Sequence, residues 1–461
     1  MALTKVTNRM IYGAYSNVLD FGADATGSAS SNSAFTLANA AGNAIFVPKG
    51  TYKFDSNLTI DSQIIFDDGA ILSPDSGIVV TISGTVHAGN EKIFGGNGKV
   101  RIGSSNGAGQ EVNVTWYADS GIGSNSSKWK NAFYNAIQSH DDGVNRSFIL
   151  PPGQYEEDNS TVIGENGERI EIKGAGIEKT TIFPSSSYVG GGAFWQFVDT
   201  GNIVGLYNIT GIKFSGTDNV TTGICLHFID VDRFLIDDVL IEQWNGDVNS
   251  TGIKTNGRQL FRLEKSSIRK CTICVHLDGN PNHPTIDVDT FIIDKCFLFC
   301  GDTTNGYCIK ITAEGLFNCE FTNINMGTAL YGVHVSNSAS FSSFHNQFKN
   351  IRIEQMGSTS WGMYLDPGDT WTGTLLQNIY FDAGENGLYA RKQGDWTIQN
   401  CIIQAPSGKT KFDILNYGGQ RLTQIACVLG GSGTGTYNGM TAVTVIPAGD
   451  ADFPALAVYK A

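Results

Sequence analysis

Between about residues 200 and 427, apolar residues recur in short alternating bursts, and the bursts themselves repeat. Eight apolar anchors mark the repeat: Ile212, Val239, Ile268, Phe297, Ile324, Ile351, Ile379 and Ile402, spaced on average by about 27 residues. Two residues after each anchor stand Phe214, Ile241, Lys270, Phe299, Met326, Ile353, Phe381 and Gln404. Most of these are apolar, which is the period-2 pattern of a strand that buries one face. A second short strand is predicted in each repeat around Ile224, Ile253, Val275, Ile309, Val333, Met363, Leu388 and Ile414. Asn323, Asn350 and Asn378 precede three successive anchors. Asn tolerates left-handed backbone and can pair its amide with a neighbour, so these three predict a stacked column at a corner. Short strands, tight corners and a repeat of this length specify a parallel β-helix, a solenoid in which each rung pairs with the next. A propeller blade would need about 40 residues and meandering hairpins.

Upstream lies a second self-similarity. Phe21-Gly-Ala-Asp24 is followed by Phe46-Val-Pro-Lys-Gly-Thr-Tyr52, and Trp116-Tyr-Ala-Asp119 by Ile149-Leu-Pro-Pro-Gly-Gln-Tyr155. An Ala-rich stretch separates the two elements in each copy and predicts short helices over 33–41 and 128–139. The pattern reads as a diverged duplication, followed by Ile172-Lys-Gly-Ala-Gly176 and Thr180-Thr-Ile182.

These motifs, in this order, resemble the opening of the pectate-lyase-like β-helices of bacteriophage tailspikes. Leu3 to Met10 is similar to the junction that precedes the first β-helix of such proteins. The resemblance covers about residues 3–185 by motif and 186–427 by rung architecture. It implies an all-β, right-handed parallel β-helix, a homotrimer, and a smaller N-terminal β-rich domain. It further implies hydrolase or lyase action on a bacterial surface glycan, at a groove on the outside of the solenoid. The expected organisation is a lead-in or attachment segment over 1–20, the N-terminal β-rich domain over 21–110, the β-helix over 111–427, and a short cap or trimer contact over 428–461. No large particle-binding domain precedes Leu3, so the expected link to the phage tail is a short N-terminal segment, a separate adaptor, or a region outside this chain. The expected location is the virion, assembled in the host cytoplasm and acting at the bacterial surface.

Composition sharpens this picture in three places. The 56 glycines among 461 residues punctuate the rungs rather than following the every-third-residue period of collagen. A net charge of −13 without a basic stripe argues against nucleic acid or an anionic membrane as partner. The first ten residues lack the apolar core of a signal peptide, and no apolar run is long enough to cross a bilayer. Nine cysteines without such a signal are expected as buried free thiols. Cys271 and Cys274 have half of a metal spacing and no matching second pair, so neither metal nor cofactor is expected.

In a parallel solenoid, equivalent positions stack about 4.8 Å apart, so candidate chemistry is sought in columns. Three residues past the anchors the column reads Ser215, Glu242, Cys271, Cys300, Gly327, Glu354, Asp382 and Ala405. Glu354 and Asp382 are the expected catalytic carboxylates, at the separation of a retaining glycosidase pair, with Asp366 in reserve. One residue past the second-strand anchors run Cys225, Lys254, His276, Lys310, His334, Tyr364, Tyr389 and Leu415. This outward column offers cations for acidic sugars and aromatic faces for pyranose rings. Lys310, His334, Arg352, Trp361, Tyr364 and Tyr389 are the expected sugar-binding residues. Loop positions are assigned to Trp361, Trp371 and Trp396, beside Glu385. Asp230, Asp232, Asp237 and Asp238 form an alternative acidic cluster.

The leading expectation is a tailspike that hydrolyses capsule, exopolysaccharide or O-antigen. Two others stand beside it. A polysaccharide lyase would use His334 or Tyr364 to take the C5 proton of a uronic acid, with Arg352 or Lys310 neutralising its carboxylate. A glycan-binding or structural tail protein would have no catalysis at all.

Overall fold

The computed structural model describes residues 15–446 except 104–110, 120–128, 141–145, 165–168, 187, 189–191, 199–205, 217–222, 232, 257–258, 280–287, 314, 337–342, 355–356, 358, 367–370, 383–385, 392–395, 405–407, 416–420, 426–427, 431–433 and 439–441. The chain forms two compact units, Met1–Tyr188 and Val189–Ala461. Among the described residues no helix is long and apolar enough to cross a membrane.

The first unit contains the duplication as two copies of one local device. Asn17 and Asn113 each cap a 3-10 turn, Val18–Phe21 and Val114–Tyr117, by accepting the amide two residues on. A short helix follows in each copy, Asn32–Ala40 and Ala132–Ser139. The second begins later than the composition suggests, because Trp129–Lys130 pairs as a strand with Tyr155 and Glu156, and Asn131 turns through a φ of 51°. In each copy a buried tyrosine then donates its hydroxyl to the proline carbonyl four residues earlier, Tyr52 to Pro48 at 2.8 Å and Tyr155 to Pro151 at 2.7 Å. Gly50 is required between them in the first copy. Its φ is 150°, and a Cβ there would stand 2.6 Å from the Ala25 Cβ. All strands from Ser16 to Ile102 pair in parallel, in three short walls around Ile45, Val47, Phe54, Leu72 and Ile82.

The second unit is a parallel β-helix. One inward ladder runs in register through Phe214, Ile241, Ile268, Leu298, Met326, Ile353, Phe381 and Ile403. A second runs through Leu226, Ile253, Val275, Ile309, Val333, Met363 and Leu388. Both ladders are buried, so burial of their apolar surface drives the stacking. Aromatic pairs reinforce it, as where Phe321 and Phe348 stack at 4.7 Å. The pairing continues to Ala442–Ile446, in register with Arg421–Ile425. The Asn column is a corner, as its chemistry predicts. Asn323, Asn350 and Asn378 all have φ of 54°, and Asn400 has 52°. Asn378 Nδ2 donates to Asn350 Oδ1 at 2.9 Å, Asn350 to Asn323 at 3.0 Å, and Asn323 to Asp294 at 2.6 Å.

The rung register departs from the sequence pattern at particular places. Ile268 pairs with Ile241 rather than lying level with Val239, and Leu298, not Phe297, continues its ladder. Phe297 is 51 % exposed. Consequently Glu242 pairs with Arg269, while Cys271 and Cys300 turn inward instead of joining the Glu354 column. On the second strand, His227 rather than Cys225 neighbours Lys254, and Asp413 rather than Leu415 follows Tyr389. The slips at Val239, Cys225 and Leu415 are of two residues and preserve the alternation of faces, so apolar pattern alone does not reveal them. The slip at Phe297 is of one residue and turns that side chain outward. The eight described cysteines are buried thiols outside any disulfide, and Cys427 lies outside the described residues. Burial pushes the Cys271, Cys296 and Cys319 thiols up to about 12.

Candidate active site

The strands Ile224–Ile229, Thr251–Asn256, Ile273–Leu277, Trp361–Asp366 and Asn386–Arg391, with the 307–311 and 331–336 segments between them, make one wall of the solenoid. Alternation aims one residue of each away from the core. The resulting column is His227, Lys254, His276, Lys310, His334, Tyr364 and Tyr389, each the register partner of the next. Four of the six expected sugar-binding residues therefore stand on one line.

Stacking at this spacing decides how the rings can act. The Tyr364 ring lies 4.3 Å from Tyr389 at an interplanar angle of 1°, and 5.2 Å from His334 at 10°. Both faces of Tyr364 are thus covered by neighbours in the column. The expectation of pyranose stacking on that ring is corrected: it presents its edge and hydroxyl. Trp361 opens its strand rather than lying in a loop, and stands nearly across these rings, 5.3 Å from Tyr389 at 69° and 6.2 Å from Tyr364 at 70°. Tyr307 and Tyr331, stacked at 5.3 Å, extend the aromatic surface three residues before Lys310 and His334. Tyr331 and Trp361 occupy equivalent places in neighbouring rungs. Burial, and then the Lys310 charge, push His334 down to about 4, so its imidazole is neutral at neutral pH. Its Nδ1 is buried and has no hydrogen-bond partner among the described residues.

The carboxylates divide between two walls. Glu354 and Asp382 are register partners on the adjacent strands Gln347–Glu354 and Thr374–Asp382. The Asp382 side chain lies outside the described residues. Glu354 Oε2 is 2.7 Å from Arg352 Nη2, and the same guanidinium stands 5.9 Å from the Tyr380 ring centroid. Arg352 therefore belongs with Glu354 and not with the aromatic column. Asp366 ends the other strand, in register with Ser336, and its charge, behind burial and Tyr389, contributes to raising the Tyr364 phenol above its ordinary range. Trp396 is a core residue at 3 % exposure rather than a loop residue, whereas Glu385 and the Trp371 side chain lie outside the described residues. Of the alternative acidic cluster, Asp237 is tied to Lys265 at 3.1 Å, Asp238 occupies a left-handed corner, and Asp232 lies outside the described residues.

At its other end the column is held by a polar network. Lys254 pairs with Asp278 at 2.8 Å, the Thr312 hydroxyl donates to Asp278 at 2.7 Å, and His276 Nε2 meets that hydroxyl at 2.8 Å. With its proton on Asp278, Thr312 accepts from Nε2–H, which leaves His276 Nδ1 as an acceptor. Burial pushes His276 down to about 3. Burial opposes, and Lys254 and Thr312 outweigh it, in holding Asp278 at about 2. His227 and Asn256 are bonded at 2.7 Å on the preceding rungs.

The second unit is thus a parallel β-helix with a polar and aromatic wall. No protein-family model and no curated protein matches the chain. Among solved structures it is similar to the Dettilon tailspike protein, at 12 % identity and a TM-score of 0.45 over 73 % of this chain and 62 % of that one. It is also similar to the gp42 tailspike of Acinetobacter phage vb_AbaP_AS12, at 11 % identity and a TM-score of 0.41 over 71 % and 62 %. A third neighbour is the Family 28 exopolygalacturonase of Yersinia enterocolitica, at 12 % identity and a TM-score of 0.32 over 93 % and 77 %. The chain spans 62 % of the length of each of the two tailspikes.

Proposed function

We propose that this chain is a tailspike-type depolymerase of the phage virion that binds a bacterial surface polysaccharide and hydrolyses its glycosidic bonds. The observation that carries the reading is the in-register pairing of Glu354 with Asp382 on adjacent rungs of the solenoid. Adjacent strands lie about 4.8 Å apart, close to the roughly 5 Å between the carboxyls of a retaining glycosidase. One carboxyl gives its proton to the leaving glycosidic oxygen, and the other attacks the anomeric carbon. Water then releases the sugar, with the first residue acting as base. Asp366 is the reserve carboxylate. Lys310, His334, Trp361, Tyr364 and Tyr389 hold the glycan, and Arg352 orients Glu354. Supporting the phage context is the resemblance of the duplicated opening motif, with its matched turn, helix and tyrosine–proline bond in both copies. A homotrimer and attachment to the tail or an adaptor through the N-terminus belong to the same proposal, as does assembly in the host cytoplasm.

A second reading rests on its own observation. Lys310, the neutral His334 and Tyr364 are successive members of one column, which is the set a β-eliminating lyase needs for a uronic acid. Digestion of purified capsule, exopolysaccharide and O-antigen by wild type, Glu354→Gln and Asp382→Asn tests the choice. Hydrolysis by the pair predicts that each variant loses at least a hundredfold in rate. Full activity in both variants removes the site. Loss of activity in His334→Ala alone, with an unsaturated product, transfers the chemistry to the lyase.

A further inference from the structure

A pocket of about 380 Å³ opens on the second unit at the cationic end of the outward column. Its lining includes Thr251, Ile273, Lys254, His276 and Lys310, together with Asp247 and Asn249 of the segment before Thr251. That segment has a fixed shape. Asp247 Oδ1 accepts the Asn249 amide and the Ser250 hydroxyl, each at 2.9 Å, while the Thr272 hydroxyl holds the Asp247 carbonyl at 2.6 Å.

The charges in the pocket are unequal in their partners. Lys254 is matched by Asp278. Lys310 is half-buried, yet among the described residues its ammonium has neither a hydrogen bond nor an ion pair, only the Tyr307 ring at 4.9 Å from its centroid. Burying a cation is costly unless an anion or several acceptors meet it. His276, two register steps from His334 with Lys310 between them, is neutral and offers an acceptor rather than a charge. Asp278, already paired with Lys254, reaches Lys310 only through its charge, so the open requirement is for an anion in contact with Lys310, in a pocket that also offers polar side chains.

We infer that this pocket receives the carboxylate of a hexuronic acid residue of the bound glycan, with Lys310 as its counter-ion and Asp247, Asn249, Thr251 and His276 facing its hydroxyls. The inference rests on the glycan-binding reading and names the substrate class: an acidic polysaccharide. Desolvation, with the Lys254 charge, outweighs the opposing charge of Asp278 and pushes the Lys310 ammonium below the ordinary lysine range, so a bound carboxylate restores what burial removes. The preference for uronate accordingly fades at an alkaline pH lower than that of a free lysine.

Calorimetric titration of the full chain with glucuronate, galacturonate and mannuronate, each beside its neutral parent hexose, tests the pocket. At least one hexuronate is expected to bind ten times more tightly than its parent. Lys310→Gln removes that preference and Lys310→Arg retains part of it. Equal binding of every uronate and its hexose, or a preference that survives Lys310→Gln, overturns the inference. The outcome is separable from the catalytic reading, because Glu354→Gln lies on another wall and leaves the uronate preference intact whether or not it abolishes cleavage.

Discussion

Glu157 lies fully buried against the start of the second helix, where Oε1 accepts the Phe133 amide at 3.0 Å and Oε2 has no partner among the described residues. Burial pushes its carboxyl up to about 8, against the helix amides of Phe133 and Tyr134, which pull it down. The native state therefore keeps a proton that the unfolded chain releases above about pH 4.5. Stability is fully present below that pH and is lost as pH rises toward 8, with a limiting slope of about 1.4 kcal/mol per pH unit. Glu157→Gln mimics the protonated acid and should remove this slope, which urea titrations at pH 5 and 8 would reveal. An unchanged slope in the variant would mean that Glu157 is ionised when folded. At the candidate site the informative residue is Tyr364, clamped between His334 and Tyr389. Tyr364→Phe keeps the stack and loses one hydroxyl, so glycan affinity should fall about fivefold, the equivalent of roughly 1 kcal/mol. Tyr364→Ala opens the stack and should cost more. Equal losses in a binding titration would mean that the ring, not the hydroxyl, carries the contact.

The corner is the element that determines what could be read from the chain. Asn323, Asn350 and Asn378 announce their left-handed backbone by residue type, and the rungs they mark were placed correctly, including the Glu354–Asp382 pairing. The preceding corners have the same backbone at Asp238, Lys265 and Lys295, with φ of 53°, 46° and 56°. Lysine gives no such signal, so the register slips there: Cys271 and Cys300, buried as expected, do not join the Glu354 column with which the spacing aligned them. The bonds of the half-buried network at Asp278 were illegible for a related reason, since they join residues 254, 276, 278 and 312 through corners of unequal length. If the Asn ladder supports the corners, Asn350→Ala combines left-handed strain, about 1–2 kcal/mol, with two lost amide bonds of about 1 kcal/mol each. Asn350→Gly keeps the backbone and loses only the bonds. Thermal unfolding should rank wild type above Gly and Gly above Ala, and the reverse order of the two variants would contradict a conformational role.

For the whole molecule, the repeat turns a chain of ordinary polarity into a wall on which function is a matter of columns. From Lys254 to Tyr389 the outward column makes five steps of about 4.8 Å, or roughly 24 Å, long enough to hold several sugar residues at once. The net charge of −13 repels an acidic polymer as a whole, so capture must rest on local cations such as Lys310. Cation at one end, edge-on aromatics at the other and paired carboxylates on the adjoining strands are the arrangement behind the proposed hydrolysis. The most direct test follows one purified surface polysaccharide of the host through digestion, recording chain length, new reducing ends and ultraviolet absorbance together. Hydrolysis predicts shortened chains with one new reducing end per cut and no unsaturated product, all abolished in Glu354→Gln. Undiminished chain length with every host glycan that the protein binds would contradict it.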